Sequence, residues 1–165
     1  MKNPLIALPY CAVIPETDGE TTLGDCFDQR VASTTGILKN RQDLLSYKSP
    51  PRKGVVVDLC PVVYDASIRE IFTAFSTTSD SRIDARKIGI TPAQLCSLCT
   101  LNGDFPNRCE FLSIVVFEEE LFAAQTYFHT GTEWTRRLIL LSLEDDFIWK
   151  RKERTVRVVL PRIQI

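Results

Sequence analysis

A single histidine, His129, and only seven glycines leave little material for several common kinds of active site. Any Ser-His-Asp or Cys-His catalysis would rest wholly on His129. No Gly-X-Ser-X-Gly elbow is present to supply a nucleophile. The glycines form neither a Gly-X-Gly-X-X-Gly fingerprint nor a P-loop. No apolar run approaches the ~18 residues of a membrane span. The formal net charge is −1, so the whole chain has no electrostatic pull toward nucleic acid or anionic lipid. There is no Asn-X-Ser/Thr glycosylation site. The apolar stretch 5–14 is interrupted by Pro9 and ended by Pro15, and no small-X-small cleavage site follows, so no signal peptide is expected. No cofactor is expected either.

What is present suits a globular body. The 165 residues fit one domain, 1–165, with 44% apolar and 25% charged residues. A chain of this size needs no staple to fold. The six cysteines, Cys11, Cys26, Cys60, Cys96, Cys99 and Cys109, are therefore expected to be free thiols, mostly buried, in a reducing cytoplasmic setting.

Residues 5–14 read as a short strand that Pro9 confines to a sheet edge. Residues 16–29 carry five acids and two glycines and read as a mobile acidic loop, so 1–30 is expected to be a mobile or partner-docking N-terminal segment. Apolar spacing predicts a helix over 37–48 and another from Ile68 through Phe75 capped by Asp65. Thr91, Pro92 and Gln94 announce a third, with a capping box at its start and Asn102-Gly103 at its end. Residues 55–60 form a strand on β-branched content, placed at an edge or bulge by Pro61. Strands at 109–117, 121–129, 133–143, 147–150 and 155–160 read as an antiparallel meander. The expected class is α+β: a mainly antiparallel C-terminal sheet packed against two or three helices.

Cys96 and Cys99 share a helix face and are a weak candidate metal pair. A structural zinc site normally takes four ligands, and this spacing supplies two. Glu118 to Glu120 and Glu144 to Asp146 read as solvated turn tips. The strongest charged feature is Trp149, Lys150, Arg151, Lys152, Arg154 and Arg157, a net of +4 with Glu153 counted. Such a patch suits phosphate groups of nucleic acid or anionic headgroups. It also suits a charged hairpin that keeps an edge strand soluble.

The leading expectation is a non-enzymatic interaction or assembly protein, self-associating, with Leu5, Ile6, Leu8, Tyr10, Val13 and Ile14 docking a partner by strand addition. Small viral matrix-type structural proteins are one class of that general character. The alternatives are a nucleic-acid or anionic-membrane binder working through 150–157, and an enzyme built on His129, the clustered acids or a cysteine.

Overall fold

The computed structural model describes residues 10–62, 64–77, 88–101, 110–130, 134–145, 148–149 and 156–162. Its centre is a six-stranded mixed sheet. In chain order the elements are β1 (Tyr10–Ile14), α1 (Leu23–Cys26), α2 (Gln29–Ala32), two 3-10 turns (Ile37–Lys39 and Gln42–Ser46), β2 (Val55–Pro61), β3 (Ala66–Ser67), α3 (Ile68–Thr77), α4 (Pro92–Thr100), β4 (Glu110–Phe117), β5 (Glu120–Thr130), β6 (Trp134–Leu141), β7 (Ile148–Trp149) and β8 (Val156–Pro161). The strand order is β1-β2-β8-β4-β5-β6.

The α+β class holds, but the sheet is mixed and the helices are short. The expected meander covers β4, β5 and β6, which pair antiparallel. It fails at the last two strands. β7 leaves the main sheet and pairs with β3, while β8 inserts between β2 and β4, antiparallel to one and parallel to the other. Strands that are neighbours along the chain usually pair, which is why a meander is expected here. Here two residues of β7 are too few to hold β8, and β8 buries apolar side chains on both faces instead.

Those faces explain the continuous apolar runs of the central strands. Val57, Leu59, Phe111, Val115, Ala124, Leu138, Leu140 and Val159 face one layer, built by α1, α2, the 3-10 turns and α4. Cys60, Leu112, Ala123, Val156 and Val158 face the other, covered by Ala66, Ile68 and Ile71 of β3 and α3. Alternation along each strand sends neighbours to opposite layers.

Both prolines of the sheet sit where a missing N–H does no harm. The bond from Arg162 N–H to the Val56 carbonyl turns the even-numbered main-chain groups of β2 toward β8. Pro61 therefore presents its ring nitrogen on the β1 side, beyond the last β1 pair at Tyr10–Leu59. Pro161 lies past the last β4 pair, Leu112–Val158. β2 is accordingly an interior strand, and the edge expected from Pro61 is not there.

Local signals set the helix starts. Thr91 and Gln94 form the expected capping box: Gln94 N–H donates to Thr91 Oγ1 at 3.2 Å, and Thr91 N–H donates to Gln94 Oε1 at 2.9 Å. α3 is capped by Ser67 rather than Asp65. Glu70 N–H donates to Ser67 Oγ at 3.2 Å, and Ser67 N–H donates to Glu70 Oε2 at 2.7 Å. The shift arises because Ala66 and Ser67 are first held in β3.

Residues 16–29 are not a loose loop. Asp25 accepts from Thr22 N–H at 2.9 Å, and Asp28 accepts from Arg30 N–H at 3.0 Å, so the acids cap α1 and α2. Leu23 and Phe27 bury themselves in the core beside them. Residues 37–48 keep their expected apolar face, with Leu38, Leu44 and Leu45 buried, but as two 3-10 turns. Arg41 breaks the helix with non-helical φ and ψ of −131° and 56°, and its guanidinium reaches Asp43 at 3.1 Å and Glu120 at 2.8 Å. The expected helix end at Asn102-Gly103 lies outside the described residues.

Candidate interaction edge

The two ends of a sheet expose main-chain donors and acceptors, and proteins usually cover them. At one end, β6 is covered by the segment that begins at Gly36. Gly36 has φ 60°, and a Cβ there would overlap the carbonyl oxygen of Leu140 on β6. The backbone of 36–39 thus lies directly against the outermost strand.

The other end is different. No strand among the described residues pairs with the outer side of β1. The β2 ladder fixes which groups face out. Val55, Val57 and Leu59 turn their main-chain groups toward Ile14, Ala12 and Tyr10, their register partners. Cys11 and Val13 therefore direct both N–H and C=O away from β2. Val13 is 61% exposed and, with Tyr64, is one of two large apolar side chains on the described surface.

A polar cluster borders this edge. Cys11 lies opposite Asp58 in the β1–β2 register. Its thiol donates to Asp58 Oδ1 at 3.2 Å, and Arg162 Nη2 lies 2.8 Å from Cys11 Sγ and 3.0 Å from Asp58 Oδ1. The Asp58 hydrogen bond pushes the Cys11 thiol up, so it is not an activated nucleophile. Burial works to raise the Asp58 carboxyl, but hydrogen bonds from Arg162 and Cys11 outweigh it and hold the group below its ordinary range. A depressed acid stabilises the fold fully above its unfolded pKa of about 3.9, and that contribution is lost as pH falls through the folded value. Asp58→Asn is expected to flatten the acid limb of the stability curve, measured as urea midpoints from about pH 6 down to about pH 2. An unchanged limb would show that the cluster does not hold in solution.

The remaining sequence candidates are scattered. Of the docking stretch, Leu5, Ile6 and Leu8 lie outside the described residues. Tyr10 and Val13 are in β1, but Ile14 is fully buried in the core, because the alternation that exposes Val13 turns Ile14 inward. Lys150, Arg151, Lys152 and Arg154 lie outside the described residues, and the backbone of Trp149 pairs with Ala66. Arg157 is half-buried in the interior strand β8, between Pro61 and Phe111. It is therefore not part of an open hairpin tip. His129 lies opposite Thr135 in the β5–β6 ladder.

Cys96 and Cys99 face the core from α4, and Cys26 at the end of α1 packs against the same cluster. Cys96 Sγ donates to the Thr22 carbonyl at 3.5 Å. Burial pushes Cys99 up to about 11. Among the described residues no group of three His, Cys, Asp or Glu side chains is arranged to hold a metal ion. A pit of about 60 Å³ lies between α2 and β6, lined by Phe27, Asp28, Val31, Ala32, Arg136 and Leu138. It falls well short of the roughly 300–1,000 Å³ of an ordinary small-molecule site. A shallow groove between Arg30 and Leu45 gathers no thiol or carboxylate.

Sequence reasoning found the β1 edge through Pro9 but missed Asp58, Arg162 and Gly36. Asp58 carried a usable signal, a lone charge inside an otherwise apolar strand. No family model, curated protein or solved structure matches this chain.

Proposed function

We propose that this chain is a non-enzymatic interaction and assembly protein that docks a second copy of itself by strand addition along Tyr10–Ile14. The observation that carries this reading is the asymmetry of the sheet: Gly36 lies against Leu140 of β6, while no strand among the described residues pairs with the outer side of β1 and Val13 is 61% exposed. An open antiparallel edge can complement itself about a two-fold axis. Centred on Ala12, such pairing sets Cys11 of one copy against Val13 of the other. Both residues turn their donors and acceptors outward, so each outward group gains a partner. The Cys11–Asp58–Arg162 cluster supplies a polar rim around the apolar Val13 contact.

Sedimentation velocity over a range of protein concentrations tests the proposal. The native chain is expected to pass from monomer to dimer as concentration rises. Val13→Pro removes an outward N–H on each copy and leaves the bonds to β2 intact. It is expected to weaken association about tenfold or more, at roughly 1 kcal/mol per lost hydrogen bond, with far-ultraviolet circular dichroism unchanged. Val13→Lys is expected to act in the same direction by placing like charges together. A native chain that stays monomeric throughout, or a Val13→Pro dimer of native affinity, refutes the proposal. A different partner that binds the monomer and is lost in Val13→Pro would keep the edge and reject self-association.

A further inference from the structure

Edge docking makes no use of the segment that leads into β2. Lys48-Ser49-Pro50-Pro51-Arg52-Lys53 follows the second 3-10 turn, and residues 48–51 belong to no helix, strand or turn. Ser49 is buried, whereas Pro50, Pro51, Arg52 and Lys53 are all exposed. A proline ring holds its own φ at about −65°. A residue that precedes a proline is kept out of the helical region and takes an extended ψ. Pro50 obeys both rules at once, so its backbone is that of polyproline II. Ser49 is held extended by the second rule alone.

Both ends of the segment are anchored. On the near side, Glu118 N–H donates to the Tyr47 hydroxyl at 3.2 Å, and the Tyr47 ring centroid lies 5.5 Å from that of Phe117. Ser49 is 5% exposed, and a Cβ on Gly19, whose φ is 81°, would overlap its carbonyl oxygen. On the far side, Arg52 and Thr17 exchange both main-chain bonds, each of 2.9 Å. Between these anchors, no main-chain N–H among the described residues donates to the carbonyl of Pro50 or Pro51. Lys48 is paired with Glu20 at 2.7 Å, but Arg52 and Lys53 enter no ion pair among the described residues. Two apolar rings, two open carbonyls and two unpaired cations thus follow one another on a fixed backbone.

We propose that Ser49–Lys53 is a polyproline-II docking segment for a protein module with an aromatic-lined groove and an acidic rim. Aromatic side chains of the groove take the proline rings, and their hydroxyl or indole N–H groups donate to the open carbonyls. Carboxylates of the rim face Arg52 and Lys53. The segment already holds its bound form, so docking costs little conformational entropy. Nucleic acid or anionic lipid would meet the two cations but has no use for the prolines.

The test immobilises a panel of purified SH3, WW and EVH1 domains and titrates it with the full chain by biolayer interferometry. Saturable binding to at least one domain is expected. Pro50→Ala combined with Pro51→Ala is expected to weaken it about tenfold or more, as loss of an interface anchor does. Arg52→Gln combined with Lys53→Gln keeps the prolines and the main-chain bonds to Thr17. It is expected to weaken binding about fivefold and to flatten its salt dependence. Circular dichroism checks that each variant is folded. The proposal is overturned if the native chain binds no domain of the panel, or if either folded variant binds with native affinity. Should the proline variant fail to fold, the glutamine variant decides.

Discussion

Replacing Phe111 with Ala is expected to lower the unfolding free energy by about 3–5 kcal/mol, the range for a buried Phe truncated to Ala. Phe111 is fully buried and sits near the middle of the sheet. On β4 it stands between Thr126 of β5 and Arg157 of β8. Its ring packs in the layer beneath α4, and the Arg136 guanidinium lies 5.3 Å from the ring centroid. Deletion leaves a cavity walled by strands on both sides. These are bonded to their own neighbours and cannot close inward, so the cost falls toward the upper part of the range. A domain of this kind holds roughly 5–15 kcal/mol in all, so the variant is left marginal. Urea unfolding should show a lower midpoint with an unchanged slope. A loss below about 1 kcal/mol would mean that Phe111 is not where the sheet is tied together.

Gly36→Ala is expected to be the most damaging small substitution. Gly36 has φ 60° and ψ −151°, a region occupied almost only by glycine, which alone costs a side chain about 1–3 kcal/mol. The added Cβ also overlaps the Leu140 carbonyl. That contact is backbone against backbone, so no rotamer change relieves it. The strain resolves only if residues 36–39 lift away from β6, which uncovers the second edge of the sheet. The expected result is a lower thermal midpoint accompanied by concentration-dependent aggregation through β6. Its sedimentation pattern should persist when Val13→Pro is added, because the two edges lie at opposite ends of the sheet. Native-like stability for Gly36→Ala would show that the segment does not lie against β6.

The parts of the fold that could be read in the sequence are those decided by near neighbours. Thr91, Pro92 and Gln94 specify the start of α4 within four residues, and the Ile68–Ile71–Phe72 spacing specifies the buried side of α3. β4, β5 and β6 are joined by tight connections, so their pairing is local too. β8 could not be placed because its Val-rich pattern fits any central position. Only the distant pairing with β2 decides where it goes. The acids between positions 16 and 29 resembled a solvated loop because Asp25 and Asp28 act as caps only once Leu23 and Phe27 have packed.

The candidate edge was legible for a similar reason. Pro9 and the apolar run after it speak for an edge strand, but pleat parity exposes Val13 and buries Ile14. The bond from Cys96 on α4 to the Thr22 carbonyl at the start of α1 spans the chain and leaves no spacing to recognise. Much of the basic segment lies outside the described residues, and Arg157 is drawn into the sheet.

The position of β8 governs the order in which the molecule can be completed. The strands β1 and β2 can form a hairpin-like pair early, and β4, β5 and β6 can fold on each other. Among the described strands only β8 pairs with both halves, so the sheet is continuous only once residues 156–161 lie between β2 and β4, with Arg162 brought to Asp58 across a separation of 104 residues. Such long-range closure is slow compared with local pairing. On the ribosome, a nascent chain therefore carries two unfinished half-sheets with open inner edges until β8 emerges from the exit tunnel.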